Sequence, residues 1–138
     1  MSANKWGIDE VLLRDHEGFI YRIDNTRTGQ YYIGKKSFWS RVKETKKSSP
    51  KYGKRVIKES NWKDYQSSNA EVQGWAISDC EYSVLYLCGS KYELAYREIE
   101  SLIECQALRD SNALNVMLGS NSIGRCPESF KIGLRSKD

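Results

Sequence analysis

The chain has one histidine, His16, and four cysteines, Cys80, Cys88, Cys105 and Cys126, at irregular spacing. That is too little for a zinc ribbon and too scattered for a disulfide framework, so the thiols read as reduced. No apolar run approaches the roughly 18 residues that a membrane span needs, and no basic stretch followed by an apolar run opens the chain. Secretion and membrane insertion are therefore disfavoured, and a cytoplasmic setting is expected. There is no internal repeat.

What is present is an ordinary single-domain composition: 138 residues, 39% hydrophobic and 29% charged. The charge is unevenly placed. Between Lys35 and Lys63 eleven Lys or Arg face only Glu44 and Glu59, a local +9 within a chain of net +4, which leaves −5 for the remainder. Such a patch suits steering toward polyphosphate and release of its counterions, although a run of charge is more often a solvated face.

Residues 18–36, GFIYRIDNTRTGQYYIGKK, read as a β-hairpin. Runs rich in β-branched and aromatic residues, 19–23 and 30–33, flank a polar turn at 24–29 that ends in glycine. Alternation puts Phe19 with Tyr21 on one face and Tyr32 with Gly34 on one face of the partner, and a tight turn brings the tyrosines together. Residues 1–17 form a short helix or extended lead-in with Trp6 as a packing anchor. Ser37-Phe38-Trp39 reads as an edge or loop carrying aromatic surface, and 43–55 as an exposed basic loop. Beyond it, Ser60 or Asn61 could cap a helix starting at Trp62, and Asn69 a second segment reaching Trp75. Trp62, Tyr65 and Trp75 would hold this insertion to the sheet.

The stretch 81–88, EYSVLYLC, is a third strand, and Ser90-Lys91-Tyr92-Glu93 has the Ser-x-x-Glu pattern of a capping box opening a helix that runs to about Arg109. At about 100° per residue, Leu94, Ala95, Ile99, Leu102 and Ile103 form one apolar arc, and Glu98 falls inside it, about 40° from Leu94. Glu93, Glu100 and Glu104 lie on the opposite side. A carboxylate on the sheet-facing side needs a metal ion, a basic partner or a raised pKa; otherwise it sits at the edge of the arc and reaches solvent or a lysine.

Phe19-Ile20-Tyr21, with Tyr32-Ile33-Gly34 placed so that Tyr32 follows Tyr21 by eleven positions, resembles the paired motif of the GIY-YIG nucleases. Phe19 stands where that motif has glycine, with Gly18 just before it. The resemblance covers residues 18–118 and is to small proteins of phage and mobile-element type, homing endonucleases among them. It implies an α+β fold: a small domain with a three-stranded antiparallel sheet flanked by helices, a lead-in at 1–17, a basic insertion at about 37–60 and a polar tail at 119–138. It also implies a metal-dependent DNA endonuclease, in which Tyr21 acts as or positions the general base, Tyr32 lines the site, and Glu98 binds Mg²⁺ or Mn²⁺.

The family's phosphate-binding arginine would fall at Val42, so the resemblance leaves Arg41, Arg55 or Lys36 for that role. Lys35, Lys36, Lys43, Lys46, Lys47, Lys54 and Lys58 would contact double-stranded DNA, and Asn115 matches an asparagine that such proteins carry past the helical glutamate. A homodimer is compatible with double-strand cleavage, and the setting would be the host cytoplasm for a phage protein. The competing readings are a nucleic-acid-binding module with a degenerate site and a structural or host-interacting protein that uses the hairpin as scaffold.

Overall fold

The computed structural model describes residues 4–115 and 127–130. Strand β1 (Gly18–Asn25) lies between β2 (Tyr31–Ser37) and β5 (Cys80–Cys88), all antiparallel, in the order β2-β1-β5. The expected hairpin and third strand are thus present, each slightly longer than the β-forming runs alone suggest. Asn25 supplies the turn: its side-chain oxygen accepts from the amides of Arg27 and Thr28, and Gly29 takes the positive φ of 80° that closes the loop.

Alternation along β1 splits the core in two. Phe19, Tyr21 and Ile23 face a cluster with Trp6, Ile8, Leu13, Phe38, Trp62 and Val72, while Ile20 joins Ile33, Cys88, Leu94 and Leu102 on the other face. The first cluster is aromatic. Trp62 packs edge-on against Phe19 and Phe38, with centroids 6.1 and 5.1 Å apart, and Trp6 donates its indole N–H to the Trp62 carbonyl at 2.9 Å. Trp6 is therefore the anchor expected of it, and the lead-in is a 3-10 helix, Glu10–Asp15, capped by Asp9.

The insertion differs from expectation. Residues 44–54, rich in lysine and broken by proline and glycine, form the exposed loop expected at 43–55, but its flanks pair as a separate two-stranded sheet, β3 (Trp39–Lys43) with β4 (Arg55–Glu59). Phe38 is fully buried rather than surface-lying. Only a 3-10 turn, Trp62–Asp64, stands where a helix was weighed, followed by the short α1 (Ala70–Gln73), whose amides Glu71 and Val72 donate to the Asn69 side chain.

Helix α2 (Lys91–Glu104) begins at Ser90, whose hydroxyl accepts from the Glu93 amide at 3.0 Å. The Glu93 carboxylate reaches the Gly89 amide, one residue further back than in a standard capping box. The helix stops well before Arg109 because a Schellman turn closes it: Ala107 N–H donates to Leu102 O, Gln106 N–H to Ile103 O, and Gln106 takes a left-handed φ of 55°. Ile103, placed in the apolar arc by the wheel, is instead exposed. Of the expected polar tail, only a 3-10 turn at Glu128–Phe130 falls within the described residues; Cys126 and residues 116–118 lie outside them.

Because Gln106 is exposed and left-handed, Gln106→Gly relieves backbone strain without loss of packing, with a gain of about 1 kcal/mol expected. Thermal unfolding should show a midpoint raised by about 3 °C; an unchanged or lowered midpoint would contradict the assignment of strain to this residue.

Candidate active site

Tyr21 lies opposite Gly34 in the β1–β2 ladder, and Tyr32, Gly34 and Lys36 share its side of the sheet. Gly34 has a task here. A Cβ at position 34 would overlap the Tyr21 hydroxyl and ring, so the missing side chain is what lets the phenol lie across the edge strand. On its other flank, the β1–β5 register slips between Ile20, opposite Tyr86, and Tyr21, opposite Val84. Leu85 is thereby left without a partner, and a bulge of this kind re-aims neighbouring side chains.

Three further groups close around the phenol. The Tyr65 ring lies 6.1 Å from that of Tyr21 and the Tyr32 ring 6.4 Å. The loop after Tyr65 presents Ser67, 2% exposed and held at φ 83°, a conformation costly for a serine. Its conformation is fixed by the Asn69 amide donating to its hydroxyl and the Gln73 side chain donating to its carbonyl. Lys36 places its ammonium 4.3 Å from the Tyr65 ring centroid, and burial lowers its pKa.

Glu98 arrives from the opposite face. Leu94 and Leu102 bury one stripe of α2 against Ile20 and Ile33, and Glu98 falls between them at the edge of β2 with 14% of its side chain exposed. Its nearest cation is Lys35, at 3.9 Å. Among the described residues its carboxylate accepts no hydrogen bond, and burial raises its pKa more than Lys35 lowers it. Lys35 immediately follows Gly34, over which the Tyr21 hydroxyl lies, so the acid and the phenol stand on the two faces of β2 at neighbouring positions, 35 and 34.

The electrostatics show the same proximity. Burial raises the Tyr21 pKa far above that of a free phenol; Ser67 opposes the rise, and Tyr65, Tyr32 and the Glu98 charge add to it. Tyr32 is raised by burial, opposed by Ser68 and raised further by Glu98. Both phenols are protonated at neutral pH, and nothing described in the site favours the phenolate enough to change that.

The arginines are placed elsewhere. Arg41 makes a two-pronged salt bridge to Glu17, each bond 2.9 Å, and Arg55 donates to the Arg41 carbonyl at 3.2 Å. Lys43, Lys46, Lys47, Lys54 and Lys58 are exposed on the β3–β4 hairpin and its loop. Asn115 is occupied structurally: its amide donates to Ile33 O at 2.8 Å and its oxygen accepts from Ile33 N–H at 3.0 Å, covering the outer edge of β2 as another strand would. Of the expected residues, Tyr21, Tyr32 and Lys36 share one face of the sheet, while Glu98 pairs with Lys35 at the edge of the other, near enough for its charge to act on both phenols.

A family model described as "Putative endonuclease segE, GIY-YIG domain" matches residues 3–119, most of the chain. The chain belongs to the GIY-YIG nuclease family. It is accordingly a DNA endonuclease, a hydrolase of phosphodiester bonds. No curated protein and no solved structure gives a significant match. Among the described residues no helix is long and apolar enough to cross a membrane.

Tyr65, Ser67 and Ser68 were not anticipated as site residues. The signal available was the run Tyr65-Gln66-Ser67-Ser68-Asn69, legible only as a turn. Its approach to Tyr21 depends on the intervening insertion folding back on itself.

Two outcomes follow from this geometry. Gly34→Ala should displace the Tyr21 phenol and cut DNA cleavage by at least about 10-fold while circular dichroism stays native; full activity would remove the significance given to Gly34. Glu98 has a folded-state pKa above its unfolded value, so its favourable contribution is present below the unfolded pKa and is lost as pH rises through the folded one. At neutral pH the ionised side chain therefore costs stability, and Glu98→Gln should raise the thermal midpoint while abolishing cleavage. A lowered midpoint would contradict the burial argument.

Proposed function

We propose that this chain hydrolyses DNA with one divalent ion on Glu98 and with Tyr21, Tyr32 and Lys36 around the scissile phosphate. The observation that carries the reading is an almost buried carboxylate, accepting no hydrogen bond among the described residues, whose charge acts on the Tyr21 phenol. That carboxylate suits a hard cation, since Mg²⁺ commonly takes one or two carboxylates and keeps its waters. Among the described residues no cluster of three or more His, Cys, Asp or Glu offers a cage for a softer or fully protein-bound metal. When bound, Mg²⁺ or Mn²⁺ would supply charge neutralisation at the phosphate and would cancel the push that Glu98 exerts on the two phenols.

The chain's own groups do the rest. Tyr21, kept protonated by burial, positions the attacking water by a hydrogen bond rather than serving as a resting phenolate. As the new phosphorus–oxygen bond forms and the old one breaks, the water's proton passes to solvent and the departing oxygen takes one from solvent. Tyr32, screened less by its surroundings, lines the phosphate. Lys36 supplies the positive charge that the family pattern assigns to an arginine, from a position set by the Tyr65 ring. One such site cuts one strand, so nicked circles are the first product, and a double-strand break requires a second event or a second copy of the chain.

The rival reading, a binding module with a degenerate site, draws support from the capture of Arg41 by Glu17. Supercoiled plasmid with Mg²⁺ separates the two. Nicking is expected in the wild type, abolished by EDTA and reduced at least about 100-fold in Tyr21→Phe, Lys36→Ala and Glu98→Ala. Salt-sensitive binding without nicking would establish the module instead. Mg²⁺ binding should weaken on acidification at a pH above the ordinary glutamate value, because the raised pKa of Glu98 in the metal-free protein makes protons compete for the carboxylate early. A rate that continues to climb at strongly alkaline pH would show that Tyr21 must ionise.

A further inference from the structure

The β3–β4 hairpin is unusual as a structural element. A two-stranded ribbon is marginally stable by itself, and most of this one is exposed on both faces, Ile57 at 65% and Val42 at 42% included. Its anchorage is confined to its base. There Arg41 pairs with Glu17, Ser60 N–H and Oγ–H donate to the carbonyls of Phe38 and Ser37 at 2.7 and 2.6 Å, and the Trp62 indole donates to Glu59 at 2.8 Å. Beyond the base it contributes nothing to either buried cluster.

The charge on the ribbon is mostly positive and lies on both of its faces. Residues 43–58 carry seven Lys or Arg against Glu44 alone, a local +6. Register pairs Lys43 with Arg55 and Arg41 with Ile57 on one face; Ser40 with Lys58 and Val42 with Val56 occupy the other. The pairing continues past the strands, with Glu44 N–H donating to Lys54 O, and the Lys58 contact to Glu44 at 3.6 Å keeps that carboxylate on the second face. Alternation then places Lys54 on the second face as well. Lys46, Lys47 and Lys51 are exposed in the connecting loop.

A ribbon lying flat on a single phosphate backbone, or on an anionic membrane, would need cations on one face only. Cations on both faces and at the tip match a setting in which two walls of phosphate rise on either side. The major groove of B-DNA is such a setting, and it is wide enough to admit a two-stranded β-ribbon. We propose that the β3–β4 hairpin is an arm that enters the major groove of duplex DNA, Lys43 and Arg55 meeting one backbone and Lys54 and Lys58 the other. The proposal rests on the nuclease reading for the identity of the partner and makes no use of the catalytic groups.

Binding of the full chain to a short DNA duplex in EDTA, read by fluorescence anisotropy across a salt series, tests this without cleavage. Lys43→Ala with Arg55→Ala, and separately Lys54→Ala with Lys58→Ala, should each flatten the logarithmic salt dependence by about 1.8, two phosphate contacts' worth. An A-form RNA duplex, whose deep narrow major groove excludes a ribbon, should bind more weakly than the DNA. The proposal is overturned if only one pair changes the slope, which means flat contact; if neither does, which means no contact; or if the RNA duplex binds equally well. Since no step requires chemistry, a wild type that fails to nick plasmid but shows both slope changes would sink the catalytic reading and leave the arm standing, and the converse pattern would do the reverse.

Discussion

The structure depends on one close approach, the Tyr21 ring lying over the bare backbone of Gly34. Tyr21 is 1% exposed, walled by Trp6, Tyr65 and Tyr32, and its ring lies across the position where the neighbouring strand has no side chain. The bulge at Leu85 turns the ring that way, and the strained Ser67 closes the pocket behind it. Tyrosine's large apolar body stabilises the first cluster while its polar tip is delivered to the edge. Packing and the proposed chemistry thus share one residue.

Helix α2 meets the opposite demand. Its apolar stripe packs on Ile20 and Ile33, and the same stripe carries Glu98 to the rim, where among the described residues Lys35 at 3.9 Å is its one ion-pair partner. A carboxylate held this way is costly in the folded state and receptive to a hard cation for the same reason: its lone pairs are not spent on protein donors. The contrast with Glu17 is instructive. Burial disfavours the charge of Glu17 too, but hydrogen bonds from Arg41 and Ser37 outweigh it and hold the pKa below the usual range. One buried acid is fully partnered and structural, the other is left open.

How much of this was legible in the sequence varied with the range of the interactions involved. The period-two alternation of β1 and β2 and the Ser90 cap are local signals, and they located the sheet, the helix and the sheet-facing side of Glu98 correctly. The β3–β4 ribbon was hidden because short strands with no buried face, on either side of a lysine-rich loop, lack that alternation, and because β3 is held by a residue distant in sequence, Glu17. Ile103 was misplaced because α2 unwinds within the next turn, where Gln106 adopts a conformation usually reserved for glycine. Tyr65 and Ser67 were invisible as site residues, since nothing in a polar turn indicates which distant tyrosine it will cover.

The arginine carries the last step of the argument. Glu17 is buried at the base of the ribbon, and withdrawing Arg41 from it would leave an unpaired charge in a low-dielectric setting, a loss that a phosphate contact elsewhere would first have to offset. Arg41 is thus committed to holding the arm, and the positive charge at the site falls to the lysines of β2, which stand next to Gly34. Lysine is the weaker choice for a two-pronged grip on phosphate, but as a compact point charge it can be set by a single ring, as Lys36 is by Tyr65. The insertion that takes the arginine also brings, at its far end, the tyrosine over which the Lys36 ammonium lies.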